Sequence, residues 1–441
     1  MSPTSTLVLA ARMGWELAVI AAATIGFALF SGRLEGTPIT PAIFFVGVGL
    51  VFGTEALGVF DLPPTGESVK VLAEATLALV LFADASRIDL GTLRREYAVP
   101  ARLLGLGLPL TIVAGALLAS LLFGSLSVAE AVVLGVMLAP TDAALGQPVL
   151  AERRLPSRIR QGLNVESGLN DGICVPLLFI ALAFAEAEAG EIGDAHAVRL
   201  VVEQIGWGIA GGFAGGVVAA GAVVLGTRRR LIAAAWLQVV PAAGAALAYG
   251  IAAPLGGSGF IAAFVAGMVF GAIRRDEGGE VTRLTEEVGD VLSGVTLLVF
   301  GAVLLSPTLH TIDWRIGLYA IASLTVVRML PVTIAMLGTG ARGPTVAFLG
   351  WFGPRGLASV VFALIVVEDA HLPHAGTMLS ATYATVALSV LVHGVTAAPL
   401  ARRYASWFES HPAESRPAME SVPAEAHRLR GRLPATEATT T

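Results

Sequence analysis

The stretch Ala139-Pro140-Thr141-Asp142-Ala143-Ala144-Leu145-Gly146, followed across an Arg-bearing turn by Asn164-Val165-Glu166-Ser167-Gly168-Leu169-Asn170-Asp171, decides how this chain is read. Both pieces sit inside apolar runs long enough to cross a bilayer, and both place carboxylates near the middle of the run. An ionised Asp or Glu there costs at least about 2.5–3.5 kcal/mol on insertion scales. Acids kept at such a depth face the protein interior or a water-filled path, and they are functional by default. Here they point to the binding and release of a cation and a proton.

The rest of the composition agrees. Of 441 residues, 55% are hydrophobic and only 14% charged, with a mean hydropathy of +0.77. Soluble domains carry roughly 25% charged residues, so the chain reads as an all-α polytopic membrane protein. The net charge of −5 says little, because the position of each charge matters more than the sum. Lys70 is the only lysine, and the arginine, alanine and glycine bias resembles that of a GC-rich bacterial genome. Cys174 is the sole cysteine, which excludes an intrachain disulfide and any cysteine cluster for a metal. Arg12 precedes an apolar run from Trp15 to Phe30 with no clear small-residue cleavage site after it, so that run is expected to be a spanning helix and not a signal peptide.

Runs of about 17–25 apolar residues match the hydrocarbon thickness. About thirteen occur, centred near Ile20, Val46, Leu77, Leu108, Val136, Ile173, Gly212, Pro241, Phe264, Val295, Ser323, Gly356 and Ala387. The second is the weakest, since residues 54–69 are mixed and Pro-bearing. From 404 to 441 the chain is rich in Pro, Glu, Ser and Thr, the composition of a disordered tail. The loops after the third, fifth, seventh and ninth spans carry Arg87, Arg94 and Arg95; Arg153, Arg154 and Arg158; Arg228, Arg229 and Arg230; and Arg274, Arg275 and Arg283. Loops after the fourth, sixth, eighth and twelfth carry at most one arginine. Positive charge stays in the cytoplasm, which puts the N-terminus outside and the tail inside. These arginines are topology signals and not a nucleic-acid surface.

The fifth span is interrupted at Pro140 and the twelfth at Pro354, in Gly350-Trp351-Phe352-Gly353-Pro354-Arg355-Gly356. Proline lacks an N–H and clashes with the preceding turn, which is expected to free the carbonyls of Val136 and Gly350. In lipid such carbonyls are tolerated only against protein or a water-filled cavity. The two interrupted spans are seven apart and therefore run in opposite directions. Paired interruptions in two inverted halves are a pointer to a transporter binding site. The expected organisation is a membrane domain over 1–403, comprising one six-helix repeat at about 14–186, a linking helix at about 198–226 and a second repeat at about 231–403, with a tail from 404 to 441. The linking helix contains Gly208, Gly211, Gly212, Gly215 and Gly216; glycines four apart let backbones approach closely, either within the chain or in a dimer.

Asp142 follows the first break, where it can cap exposed N–H groups; Arg355 follows the second, where it can meet exposed carbonyls. Both placements are equally compatible with direct ion contact. In the sixth span Glu166, Ser167, Asn170 and Asp171 share one face. Asp171 is about ten residues in from Gln161, roughly 15 Å along the helix and close to mid-membrane. Carboxylate, hydroxyl and amide oxygens beside a freed carbonyl suit a small hard cation such as Na⁺. Arg328, deep in the eleventh span, needs an acidic or amide partner, for which Glu166 with Asn170 is the candidate pair. Glu74, Asp84 and His393 are secondary polar positions, and Cys174 reads as a small buried apolar residue.

These residues carry a family resemblance. Ala-Pro-Thr-Asp-Ala at 139–143, Glu-Ser-Gly-Leu-Asn-Asp-Gly at 166–172, the arginine at 328 and Gly-Pro-Arg-Gly at 353–356 resemble the monovalent cation:proton antiporters of the NhaP-type sodium/proton exchanger branch. The resemblance covers the membrane part in order and implies an antiporter fold, a homodimer in a bacterial plasma (inner) membrane, and an elevator-like alternating-access motion. It implies that Asp171 carries the cation and the proton in turn, that Ser167 and the Thr141 main chain are further ligands, and that Arg328 pairs with Glu166. A single acid in an Asn-Asp pair is similar to the electroneutral branch. No cofactor is expected beyond the transported Na⁺ (or Li⁺ or K⁺) and H⁺. Walker, His-Glu-x-x-His and Gly-x-Ser-x-Gly motifs are missing, against an ATPase or an intramembrane hydrolase. A cation channel or an anion symporter on a similar scaffold stays open; the first lacks a filter sequence, and the acids of the sixth span would repel the anion of the second.

Overall fold

In lipid a backbone is satisfied only within helices or closed barrels, and the regular elements among the described residues are helical throughout. The computed structural model describes residues 3–34, 37–60, 62–63, 66–88, 98–274, 281–369, 372–412 and 416–422. In chain order the helices are α1 (Pro3–Leu34), α2 (Pro41–Phe52), α3 (Glu67–Ser86), α4 (Ala98–Leu122), α5 (Val128–Met137), α6 (Gln147–Ala151), α7 (Ser157–Glu188), α8 (Asp194–Arg228), α9 (Ala234–Leu255), α10 (Gly259–Ile273), α11 (Arg283–Thr311), α12 (Trp314–Ala335), α13 (Gly343–Trp351), α14 (Leu357–Asp369), α15 (Ala375–Glu409) and α16 (Ala418–Ser421). Eight of them are long and apolar enough to span a membrane unaided. Each expected span centre falls in helix except Gly356, which falls in the gap between α13 and α14. The weak second span is a short helix, α2, begun by Thr40, whose hydroxyl accepts from the Ile43 N–H, and Pro41.

The glycine-rich α8 resolves as intramolecular packing. A Cβ at Gly211 or Gly215 would strike Ala252 or Ala248 of α9, and one at Gly212 or Gly216 would strike Ala262 or Ala266 of α10. In the same way Gly267 and Gly271 of α10 lie on the backbone of α3. Small residues gain contact here where lipid offers no hydrophobic drive for association. Two packing groups result: α2, α3, α8, α9, α10 and α11 in one, and α4, α5, α7, α12, α13 and α15 in the other. Each group draws helices from both halves of the chain. On α1, Trp15, Leu17, Ile25 and Leu29 are largely exposed.

The arginines mark one end of the bundle. There Arg102 at the start of α4 donates to the carbonyls of Ala335 (3.1 Å) and Leu337 (2.7 Å) at the end of α12. At the opposite end Ser127 before α5 donates to Glu188 at the end of α7 (2.9 Å), and His374 before α15 meets Glu130 of α5. Arg94, Arg95 and Arg275 lie outside the described residues.

The expected tail begins later than residue 404. The last long helix continues to Glu409, because Tyr404 stacks on Phe348 (4.4 Å between ring centroids) and Trp407 on Tyr404. Residues 416–422 also pack, with Met419 and Glu420 buried. Composition missed this because a few apolar anchors spaced between Pro and Glu suffice to dock a short segment.

Candidate functional site

The helix of the fifth span stops at Met137 and resumes at Gln147; that of the twelfth stops at Trp351 and resumes at Leu357. The two gaps cross and complete each other. The Asp142 N–H donates to the Pro354 carbonyl at 2.8 Å. The Asp142 carboxylate accepts from the N–H of Leu357, first residue of α14, at 3.0 Å, and from Ala144 N–H at 2.8 Å. Arg355 Nη1 donates to the carbonyls of Ala139 (2.8 Å) and Pro140 (3.1 Å), and Ser359 Oγ to that of Met137 (2.7 Å). Gly356 is required here, since any Cβ would collide with the Asp142 carboxylate. Thus Asp142 meets a positive helix end and Arg355 exposed carbonyls, but mostly each serves the other's break.

At the first break the carbonyls left open are not those expected. Val136 O accepts the Ala139 N–H at 3.2 Å in a tight turn. Because the helix has already stopped at Met137, the Pro140 ring meets no continuing turn, and the carbonyls in need of partners move on to Met137, Ala139 and Pro140. At the second break the helix runs through Gly350 to Trp351, whose carbonyl is met by Gly353 N–H and by His393 Nε2, both at 2.9 Å. His393, buried on α15, therefore closes the end of α13.

Beside this crossing lies an oxygen-rich cluster. Thr141 Oγ1 is 3.2 Å from Ser167 Oγ and accepts from Asn170 Nδ2 at 2.5 Å. Glu166, Ser167, Asn170 and Asp171 are all buried, Asp171 being 7% exposed. Asn170 Oδ1 and Glu166 Oε2 are buried acceptors without a hydrogen-bond donor among the described residues. Arg328 Nη2 lies 2.6 Å from Glu166 Oε1, with both side chains at most 2% exposed. The guanidinium reaches this position against Gly353, where a Cβ would overlap it. The expected sharing of Arg328 by Asn170 is not seen; Asn170 serves Thr141 instead, because Arg328 comes in at the level of Glu166, one turn before the amide. Carboxylate, hydroxyl and amide oxygens gathered this way suit a hard monovalent cation, which ligates through oxygen.

The other polar positions separate. Asp84 of α3 pairs with Arg87 and, with Ala143, Asn164 and Gly168, lines a small cavity beside α7. Glu74 instead accepts from Tyr249 of α9 at 3.0 Å, on the far group. Cys174 is fully buried. Ser359 and Ser389, the latter accepting the Arg355 N–H at 2.6 Å, were not singled out from the sequence. Isolated serines in apolar helices carry no periodic signal. At the arginine-bearing end a cavity of about 770 Å³ opens between the α1–α2 connection, α6 and α15, with Thr40, Gln147, Glu152 and Arg402 on its wall. Ala144, two residues past Asp142, also lines it.

The profile of the sodium/hydrogen exchanger transmembrane family matches residues 19–403. The chain is 27% identical over 396 residues to the K(+)/H(+) antiporter NhaP2 of Shewanella sp. (strain ANA-3), covering 87% of this chain and 66% of that one. It therefore spans just under two thirds of that relative's length. Over 365 residues it is 28% identical to the Na(+)/H(+) antiporter NhaP of Pseudomonas aeruginosa, covering 76% of this chain and 81% of the relative. The fold is similar to that of the sodium proton antiporter MjNhaP1 from Methanocaldococcus jannaschii at pH 8: TM-score 0.70 at 17% identity, over 88% of this chain and 99% of that one.

Proposed function

This chain belongs to the sodium/hydrogen exchanger family, and on that premise we propose that it exchanges a monovalent cation, Na⁺ first, for H⁺ by alternating access. The observation that carries the reading is the crossing of two broken helices beside buried oxygens of Thr141, Ser167 and Asn170, one residue from Asp171. Of the acids there, Glu166 is held by Arg328 and Asp142 by the first turn of α14. The exchange is assigned to Asp171, which is buried on the face of α7 that also carries Ser167 and Asn170. It takes either Na⁺ or H⁺, with Ser167, Asn170 and the Thr141 main chain as further ligands. One negative charge serving both ions makes the cycle electroneutral. The channel and anion-symporter readings find no support in the family match.

Positive charge marks the cytoplasmic side, so the cavity near Ala144 is the inner vestibule, the C-terminus is cytoplasmic and the N-terminus lies outside. A homodimer in a bacterial inner membrane is the working form, with the exposed apolar face of α1 toward lipid or partner.

The test is a grid of initial exchange rates in proteoliposomes over Na⁺ concentration and symmetrical pH, repeated with K⁺ and Li⁺ because the relatives' names divide between Na⁺ and K⁺. Protons competing for the ligand carboxylate should raise the apparent KM about tenfold per pH unit on the acid side, with the maximal rate little changed. Asp171→Asn should insert normally and exchange nothing. A KM flat across the acid limb, or substantial exchange by the variant, would remove Asp171 from the role of shared carrier.

A further inference from the structure

Each half-helix that enters the crossing starts at an opposite face of the bundle, and each starts on a buried glutamate. For α5 the acid is its own: Glu130 accepts the Ser127 N–H at 2.9 Å while Ser127 Oγ accepts the Glu130 N–H at 3.2 Å. For α13 the sequence offers nothing comparable. Its N-cap residue is Arg342, whose side chain makes no cap hydrogen bond, and Pro344 lacks an N–H. The acid arrives from the C-terminal segment. Glu420 Oε1 accepts the Arg342 N–H at 2.9 Å and the Thr345 hydroxyl at 2.5 Å, from 78 and 75 residues away. Thr345 and Glu420 are at most 1% exposed, and Thr345 Oγ1 also lies 2.9 Å from the Tyr404 hydroxyl. The same segment is pinned to α7, where Arg158 Nη1 donates to the Met419 carbonyl at 3.2 Å and Met419 packs into the cluster of Leu155, Ile159, Phe348 and Tyr404.

A carboxylate at a helix N-terminus neutralises the positive end of the dipole and satisfies open N–H groups. A buried acid held by two donors among the described residues, 75 residues from its nearer partner, fixes a tertiary arrangement. It joins the start of α13, which leads to Gly353 and Pro354, to the start of α7, which leads to Glu166 and Asp171. We propose that residues 416–422 are a docking cap: the chain's own C-terminal segment occupies a site formed by Arg342, Thr345, Tyr404 and Arg158. Its seating sets the position of the second break and thereby the cation affinity of the crossing. The docking stands on geometry alone; its effect on affinity rests on the antiport reading.

The experiment compares the full chain with Glu420→Ala, Glu420→Gln and a chain ending at residue 415. Amide hydrogen exchange over residues 345–351 reads the cap, and apparent KM for Na⁺ against maximal rate reads its consequence. Truncation and Glu420→Ala should speed amide exchange in the first turn of α13 at least about tenfold, the equivalent of roughly 1.4 kcal/mol, and raise KM several-fold with a smaller change in maximal rate. Glu420→Gln keeps an acceptor oxygen and should fall between. A synthetic peptide of residues 412–425 added to the truncated chain should restore both readings, and the peptide carrying Glu420→Ala should not. Unchanged protection of 345–351 without the segment overturns the docking. Lost protection with unchanged KM overturns the coupling. If the full chain exchanges no cation at all, the antiport reading fails while the protection data still decide the docking. Should the truncated chain not fold, Glu420→Ala against Glu420→Gln carries the same two readings.

Discussion

The two breaks use one device, a proline after a helix that has already stopped, yet they are held in different ways. The α5 half-helix carries its cap within four residues, Ser127 to Glu130, and Glu130 is further tied to His374 N–H at 2.9 Å. The α13 half-helix borrows its cap from residue 420 and its closing contact from His393. At the gaps themselves the dependence is mutual, Asp142 serving the start of α14 and Arg355 the end of α5. The first half-helix is therefore locally determined at its outer end, whereas the second is determined almost wholly by neighbours. Under the proposed alternating access, that is where small changes elsewhere can be felt, because packed polar crossings have few intermediate arrangements.

The largest effect should come from the arginine that joins the second break to α7. Arg328 lies against Gly353 and neutralises Glu166, so Arg328→Ala leaves a buried charge uncompensated, at about 3–5 kcal/mol. Thermal unfolding in detergent should drop strongly and be partly restored by adding Glu166→Gln. A double variant no better than the single would show that Arg328 is held by some other group.

Asp142 tests whether the dependence is truly crosswise. Asp142→Ala removes charge-assisted hydrogen bonds worth roughly 1.5–3 kcal/mol each. Faster amide exchange is expected at Leu357 to Val360 of α14, more than at Ala144 and Leu145 in its own loop. Loosening confined to 143–147 would break the comparison by making both breaks local.

The smallest effect should follow Ser127→Ala, which deletes the local cap and one exposed hydrogen bond to Glu188, at about 1 kcal/mol. Exchange protection should fall in the first turn of α5 and stay unchanged in α13. An equal loss in both half-helices would mean that their ends are coupled and not independently capped.

Much of this was legible before any coordinates. Apolar run lengths placed all but one of the expected span centres in helix, because a helix must match a fixed hydrocarbon thickness. Prolines 140 and 354 located the breaks, and acids in so apolar a chain singled out the candidate site, because unpaired charge in lipid is too costly to be incidental. The capping box of α5 is a short-range pattern, and the Arg328–Glu166 pair was reachable because a deep arginine has few acids to choose from. What the sequence left undecided were contacts with no fixed spacing. Whether the glycines of α8 pack within the chain, which carbonyls stay open at a break, that Asn170 turns to Thr141, that Asp142 and Arg355 exchange breaks, and that Glu420 returns to α13 all depend on which surfaces meet. Local patterns act over a few residues of backbone, whereas these partners are joined only by the three-dimensional path of the chain, so tertiary packing alone chose them.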